Sequence, residues 1–133
     1  MSMMTDMMRS MPQGGMTMDM DAMQACVEAC SAAAMAATMC ADADTGDDMA
    51  RCNAMCSNMA DVATTMMRMM LRPTGYDMSV MRMMMEACVA MGEACAAECR
   101  MHAEMHEHCR ICAMACEAMV DSCRRMMSSM TMA

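Results

Sequence analysis

The spacing of the cysteines is the feature that most constrains how this chain folds. Residues on one face of an α-helix follow one another at steps of three and four, and such steps connect the cysteines within four segments. All twelve cysteines lie on the resulting stripes: Cys26, Cys30 and Cys40; Cys52 and Cys56; Cys88, Cys95 and Cys99; Cys109, Cys112, Cys116 and Cys123. Because no cysteine is left on a polar face, the pattern predicts four helices that bury their thiols against one another.

Breaks in the helical pattern divide the chain. Turn-forming sequences lie at 42–48 and 72–77, where Asp47 and Asp77 are predicted N-caps. A third break is placed at 102–107, because an unbroken helix would be too long for a compact domain. The predicted helices are 19–42, 47–71, 77–103 and 106–129. Short connections make neighbouring helices antiparallel, so we predict an all-α, up-down-up-down four-helix bundle over 19–133, preceded by a Met-rich tail or short helix over 1–18.

Composition argues against several classes of function. The chain has 133 residues, 33 of them Met, with no Phe or Trp, so Met must fill most of the core. A net charge of −8 and the absence of Lys argue against nucleic acid or an anionic membrane as partner. No charge-free stretch reaches the roughly 18–20 residues of a membrane span. Asp6 and Arg9 lie where a secretory signal would be apolar, so the expected compartment is the cytosol, where thiols stay reduced.

Thiolates that face each other inside a bundle favour soft, low-coordinate metal ions. Cu(I) prefers sulfur and shares bridging thiolates, so many ions can occupy one tube of cysteines. Separate tetrahedral zinc sites and loop-borne iron–sulfur clusters fit a continuous ladder less well. Three alternatives remain open: a disulfide-braced structural bundle, a general Zn(II) or Cd(II) sequestrant, and a redox enzyme with one reactive cysteine. The sequence has no catalytic or nucleotide-binding motif, so we predict no enzymatic activity.

The two ends of the predicted bundle differ in chemistry. Antiparallel packing places thioethers at one end and a mixed set at the other, consisting of Cys40, Met49, His102, Met105, His106 and His108. We interpret the second end as a mouth at which His and Met pass ions to the thiols below, although a solvated turn position competes for each His. Met59 and Met119, within the cysteine zone, are predicted weaker ligands. The acidic loop beside the mouth is interpreted as an N-cap and solubility feature.

Two stretches and the cysteines between them resemble a known family. The stretches read LRPTGYD at 71–77 and HAEMHEHCRICAMAC at 102–116, and the cysteines are Cys88, Cys95 and Cys99. Over about residues 19–128 the chain resembles the cytosolic branch of the bacterial copper storage proteins. These are Cys-rich four-helix bundles, typically homotetramers, that hold many Cu(I) ions inside each bundle. The resemblance implies that the three histidines sit at the mouth through which copper enters.

The cysteine ladder of this chain is less complete than is usual in that family. Vacancies, where the helical step would place another thiol, are Ala33, Ala37, Met59, Ala63, Gly92 and Met119. At one ion for every one or two thiolates, we expect roughly 6–12 Cu(I) per chain.

Overall fold

The computed structural model describes residues 3–11 and 19–130. In this part of the chain the α-helices are α1 (Met3–Ser10), α2 (Met20–Ala43), α3 (Ala50–Met70), α4 (Met78–Arg100) and α5 (Glu107–Ser129). Short 3-10 turns, Asp47–Met49 and Pro73–Gly75, precede α3 and α4. The described residues contain no strand, and none of their helices has both the length and the apolar character that a membrane span needs.

Helix ends show where the capping predictions hold. Asp77 caps α4, because its carboxylate accepts a hydrogen bond from the Val80 backbone N–H at 3.1 Å. The prediction for Asp47 was wrong: this residue lies inside the first 3-10 turn, and α3 starts after Met49 without a side-chain cap. The break near residue 102 is a turn between α4 and α5.

The N-terminal segment contains a short helix that lies on the bundle. Met8 of α1 is buried against α2, and the Gln24 side-chain amide donates to the Thr5 hydroxyl at 2.5 Å. Residues 1–2, 12–18 and 131–133 lie outside the described residues. The division of the chain into a tail over 1–18 and a bundle over 19–133 stays a prediction.

Helices α2 to α5 form a four-helix bundle, as predicted. Each packs against two neighbours, in the ring α2, α3, α4, α5 and back to α2. Pairs of thiols show the directions of the helices. Cys26 near the start of α2 meets Cys123 near the end of α5, whereas Cys40 near the end of α2 meets Cys109 near the start of α5. The helices of this pair therefore run antiparallel.

The core is built from sulfur and small side chains. The cysteines are interleaved with buried Met and Ala, and Met59, Met66, Met85, Met119 and Met126 are all fully enclosed. Met packs adaptably because it is flexible and polarisable, so it can fill the gaps between cysteines of different helices.

One end of the bundle is closed. The Tyr76 hydroxyl donates to the Met70 carbonyl and lies 2.9 Å from the Met23 thioether sulfur, so it ties the α3–α4 connection to the start of α2. Burial raises the pKa of Tyr76 to about 12, so the phenol stays neutral and remains a donor. Met66 near the end of α3 and Met81 near the start of α4 are buried at this end of the bundle.

Candidate metal centre

All twelve cysteines are free thiols, and all are buried. They occupy the inward stripes of four helices, as the sequence spacing predicts, and they gather into three clusters along the bundle axis. We name them by position: the mouth cluster (Cys40, Asp44, His108 and Cys109), the central cluster (Cys52, Cys56, Cys95, Cys99, Cys112 and Cys116) and the closed-end cluster (Cys26, Cys30, Cys88 and Cys123).

The mouth cluster combines sulfur, nitrogen and oxygen donors. His108 Nδ1 lies 3.2 Å from Cys40 Sγ and 3.6 Å from Cys109 Sγ, and the two sulfur atoms are 3.9 Å apart. Asp44 Oδ1 lies 3.9 Å from each sulfur and 3.8 Å from His108 Nδ1. Four possible ligand atoms therefore converge where α2 ends and α5 begins, on a volume that suits one ion.

Asp44 is a site residue that the sequence analysis missed. It belongs to the acidic loop that was interpreted as a capping and solubility feature, yet its side chain is fully enclosed. Within the described residues, its second carboxylate oxygen, Oδ2, is buried without a hydrogen-bond partner. Such an oxygen is costly to bury, and a bound cation is one way to satisfy it. The available signal was the position of this acid, four residues after Cys40.

The central cluster is the most densely packed group of thiols. Cys56 Sγ lies 3.6 Å from Cys99 Sγ, 3.8 Å from Cys95 Sγ and 3.9 Å from Cys112 Sγ. These contacts bring together helices α3, α4 and α5. Cys40 joins from α2, since its sulfur lies within 4.8 Å of those of Cys56, Cys99 and Cys112. The mouth cluster therefore runs directly into the central cluster.

The closed-end cluster lies deeper, toward the Met-lined end. Cys26 Sγ and Cys123 Sγ are 3.5 Å apart, and Cys30 lies within 4.8 Å of both. Cys88 completes the group through hydrogen bonds with Cys30 and Cys123. Its thiol also donates toward the thioether sulfur of Met119 at 3.7 Å.

Protons are shared unevenly among the thiols. Hydrogen bonds from Cys112 and other thiols hold the pKa of Cys99 far below its usual value and lower the pKa of Cys116 to about 5. Hydrogen bonds from Cys26 and its neighbours likewise lower the pKa of Cys123. Burial raises the pKa of both mouth-cluster thiols. In the two deeper clusters, S–H donors around these three sulfurs therefore favour the thiolate form, which attracts a cation.

The three predicted histidines have different surroundings. His108 belongs to the mouth cluster, and the ring of His106, at the start of α5, lies 5.3 Å from it. His102 points elsewhere: its Nε2 lies 3.1 Å from Oε2 of Glu98, a buried carboxylate that also accepts a hydrogen bond from Arg51 at 3.0 Å. The structure thus brings two histidines together and holds the third through Glu98.

The predicted Met ligands also separate into groups. Met59 and Met119 are fully buried in the ladder, and Met119 contacts a thiol. Met49 is buried beneath the acidic loop. Met105 is 82% exposed on the turn before α5, and the structure does not bring it to the thiols.

Comparison with known proteins identifies the family. The sequence profile of the copper storage protein family matches residues 13–128. The chain belongs to this family. Among solved structures it is similar to the copper storage protein Ccsp from Streptomyces lividans loaded with 10 copper equivalents, with 38% identity and a TM-score of 0.88 over 94% of this chain and 98% of that chain.

Two further structures from Streptomyces lividans agree with this membership. A cytosolic copper storage protein with five coppers is 38% identical, with a TM-score of 0.80 over 84% of this chain and 96% of that chain. A histidine-to-alanine variant of Ccsp is 37% identical, with a TM-score of 0.83 over 86% and 99%. No match is found among curated proteins. Membership of the copper storage protein family thus rests on most of the chain, and the predicted resemblance is confirmed.

Proposed function

We propose that the protein binds and stores several Cu(I) ions in the cytosol, on the thiolates that line its bundle. The observation that carries this proposal is the continuous set of buried sulfur contacts, of which Cys56 alone makes four at 3.6 to 4.0 Å. Two sulfurs that share one ion at about 2.3 Å each lie at most about 4.6 Å apart. The observed spacing therefore fits thiolates bridged by a common metal after small adjustments.

The chemistry of the donors favours Cu(I) over harder ions. Buried thiolates carry charge that is costly in a medium of low dielectric constant, and a bound monovalent cation offsets it. Cu(I) accepts two or three sulfur ligands and bridging thiolates, so adjacent ions can share one ladder. The proposed ligands are the twelve cysteines with Asp44, His106, His108, Met59 and Met119. His102, Met49 and Met105 are retained as contributors around the mouth.

The mouth cluster is the proposed point of uptake. Of the three clusters it alone has nitrogen and oxygen donors, and the His108 side chain is 31% exposed. An ion that arrives there can exchange solvent ligands for His108 and Asp44 before it binds the first thiols. Cys40 then leads into the central cluster.

Storage is favoured over catalysis because the reactive groups are enclosed. Every thiol is buried, so no sulfur faces a cleft in which a substrate could meet it. Membership of the copper storage protein family also favours storage. The bound copper ions are therefore the stored material and take no part in catalysis.

An anaerobic titration of the reduced protein with Cu(I), in the presence of a chromogenic chelator, tests the proposal. We expect roughly 6–12 ions per chain to be withheld from the chelator before free copper is detected. Substitution of Cys56 and Cys99 by serine should lower this number, whereas the exposed Ser57→Ala control should not. Colour from the first equivalent onward, in a protein whose thiols are shown to be reduced, would contradict the proposal.

Zinc remains a second candidate because of one specific grouping. The sulfurs of Cys40, Cys56, Cys99 and Cys112 lie within 4.8 Å of one another, which is compatible with a four-thiolate zinc site. Competition separates the two metals. Retention of Zn(II) against an equal amount of chelated Cu(I) would favour a zinc or general soft-metal role.

The assembly state that the family resemblance implies, a homotetramer, is also kept as a proposal. It is supported by exposed apolar side chains on the adjoining helices α2 and α5, where Met35, Met39, Ile111 and Met114 are each at least half exposed. Exposed apolar side chains that form a large patch often mark a contact between subunits. Analytical ultracentrifugation should show a single species of four chains, and a stable monomer would contradict this proposal.

A further inference from the structure

The cysteine ladder is divided into two compartments. The mouth and central clusters are joined through Cys40. All twelve cysteines lie in the described residues, and among them no hydrogen bond between thiols connects either of these clusters to the closed-end cluster. Four thiols at the closed end are therefore separated from the eight that lie nearer the mouth.

Small side chains fill most of the layer between the compartments. Ala33 and Ala37 of α2 and Ala63 of α3 are fully buried at ladder positions without a sulfur atom. Met59 and Met119 supply the thioethers at the ladder positions of this layer. Of these two, Met119 makes the direct contact with a stored-metal ligand, since its Sδ lies 3.7 Å from Cys88 Sγ.

The absence of a side chain at Gly92 leaves the space that the end of the Met119 side chain occupies. A Cβ atom at Gly92 would lie 2.7 Å from the Met119 methyl carbon and 2.7 Å from Cγ2 of Val120. The terminal methyl of Met119 therefore packs directly on the backbone of α4, at a level where any larger residue would displace it. This contact fixes the position of the methyl group on the Met119 sulfur. Cys116 lies one turn away along α5, on the same face of the helix.

On the basis of the storage function proposed above, we propose that Met119 transfers Cu(I) from the central cluster to the closed-end cluster. The ion begins on Cys116 and its neighbours. A bond from the Met119 thioether to copper forms as the bond from Cys116 breaks, and a bond to Cys88 then replaces the thioether. Copper remains Cu(I) throughout, the proton that Cys88 gives up is released to solvent water, and the vacated Cys116 is left as a thiolate.

A thioether suits this step better than a thiolate would. It is neutral, so it binds Cu(I) through sulfur without retaining the ion by charge. The 3.7 Å separation from Cys88 is below the roughly 4.6 Å at which one ion still reaches two sulfurs. Met119 can therefore hold copper briefly between two sets of stronger ligands.

Stopped-flow loading with Cu(I) delivered from a chelator tests the transfer. The wild type should load in two phases, a fast one for the outer compartment and a slow one for the closed end. The Cys26→Ala, Cys123→Ala double variant should lose amplitude only in the slow phase. The Met119→Leu variant, which keeps side-chain volume without sulfur, should keep the fast phase and slow the second at least tenfold.

Two further variants separate sulfur chemistry from packing. Met126→Leu makes the same change at an equally buried position of α5, two turns from Met119, and should load like the wild type. Met119→Cys leaves more empty space than leucine but restores a sulfur. It should therefore recover a slow phase within about threefold of the wild type, which corresponds to about 0.65 kcal/mol in the barrier. Circular dichroism should show that each variant is helical.

The outcomes distinguish this inference from the storage proposal on which it rests. If the wild type retains no copper against the chelator, the storage proposal fails. If the wild type retains copper but Met119→Leu fills the closed end at the wild-type rate, storage stands and the transfer role is overturned. A slow phase that is lost equally in Met119→Leu and Met119→Cys would also overturn it, because packing alone would then explain the effect.

Discussion

Replacing Asp44 with alanine is expected to stabilise the copper-free protein while it impairs copper uptake. The carboxylate is enclosed, and its Oδ2 atom has no hydrogen-bond partner within the described residues. Leaving a buried polar atom unsatisfied costs about 1–3 kcal/mol. Its Oδ1 atom makes long contacts of 3.8 to 3.9 Å with His108 and the two mouth-cluster thiols, and the Cys52 thiol also hydrogen-bonds the carboxylate. Hydrogen bonds from thiols are weak, so less favourable interaction is lost than the unsatisfied oxygen costs.

The expected magnitudes follow from these contacts. A gain of about 1 kcal/mol, at the low end of that range, corresponds to a rise in the melting temperature of about 3–5 °C for a chain of this size. The rate of copper uptake should fall at least about tenfold. The reason is that Asp44 contributes to binding the first ion, and even partners outside the coordination shell commonly change metal affinity 10–100-fold. Thermal unfolding of the copper-free protein and stopped-flow uptake from a chelator measure the two effects separately.

Asp42→Ala is the matched control. Asp42 lies two residues away at the end of α2 and is exposed, so this variant loses the same charge without emptying the mouth cluster. It should change neither quantity by a comparable amount. If Asp44→Ala were less stable than the wild type and took up copper at the wild-type rate, Asp44 would be a structural residue, and the reasoning from its unsatisfied oxygen would be refuted.

Three further predictions concern the interior. Gly92→Ala should lower the free energy of unfolding by about 1–2 kcal/mol, because overpacking against Met119 and Val120 outweighs the higher helix propensity of alanine. Chemical denaturation measures this change, and an unchanged midpoint would contradict the prediction. Glu98→Gln should lower the free energy of unfolding by about 1–2 kcal/mol, because it weakens the charge-assisted hydrogen bonds to Arg51 and His102. Chemical denaturation at neutral pH measures this change, and a variant as stable as the wild type would contradict the prediction. Copper affinity should rise between about pH 6 and 8, by up to about tenfold per unit for each proton released. Burial raises the pKa of Cys40 to about 12, so this thiol is protonated there and copper must displace its proton; chelator competition at several pH values measures the slope, and a flat profile would contradict the prediction.

The helical step placed the cysteines correctly because it depends only on backbone geometry. A residue three or four positions from a buried cysteine on a continuous helix must share its face, and all twelve thiols are buried as that rule requires. Asp77 was predictable for a similar reason, since a capping carboxylate acts within its own turn. Asp47 was mispredicted because the chain forms a 3-10 turn there, and the capping pattern alone does not distinguish the two kinds of helix start.

The mouth could be predicted only in part, because it depends on contacts between distant segments. Asp44 resembles its exposed acidic neighbours in sequence, and only the meeting of α2 with α5 encloses it beside His108. Met105 and His106 are adjacent in the chain, yet Met105 is exposed and His106 is half-buried with its ring beside that of His108. The separation of the closed-end cluster also could not be predicted. It depends on how the four helices are shifted along the bundle axis, which decides whether ladder positions without a cysteine lie at the same level.

X-ray absorption at the copper edge of the loaded protein tests the central claim most directly. If the thiol ladder stores the metal, a fully loaded sample should contain Cu(I) with two or three sulfur neighbours at about 2.2–2.3 Å and neighbouring copper atoms bridged by shared thiolates. Nitrogen and oxygen should contribute noticeably only at the first equivalents, when the mouth cluster is occupied. A shell dominated by nitrogen or oxygen at full loading, or copper present as Cu(II), would show that the metal lies outside the bundle and would contradict the account.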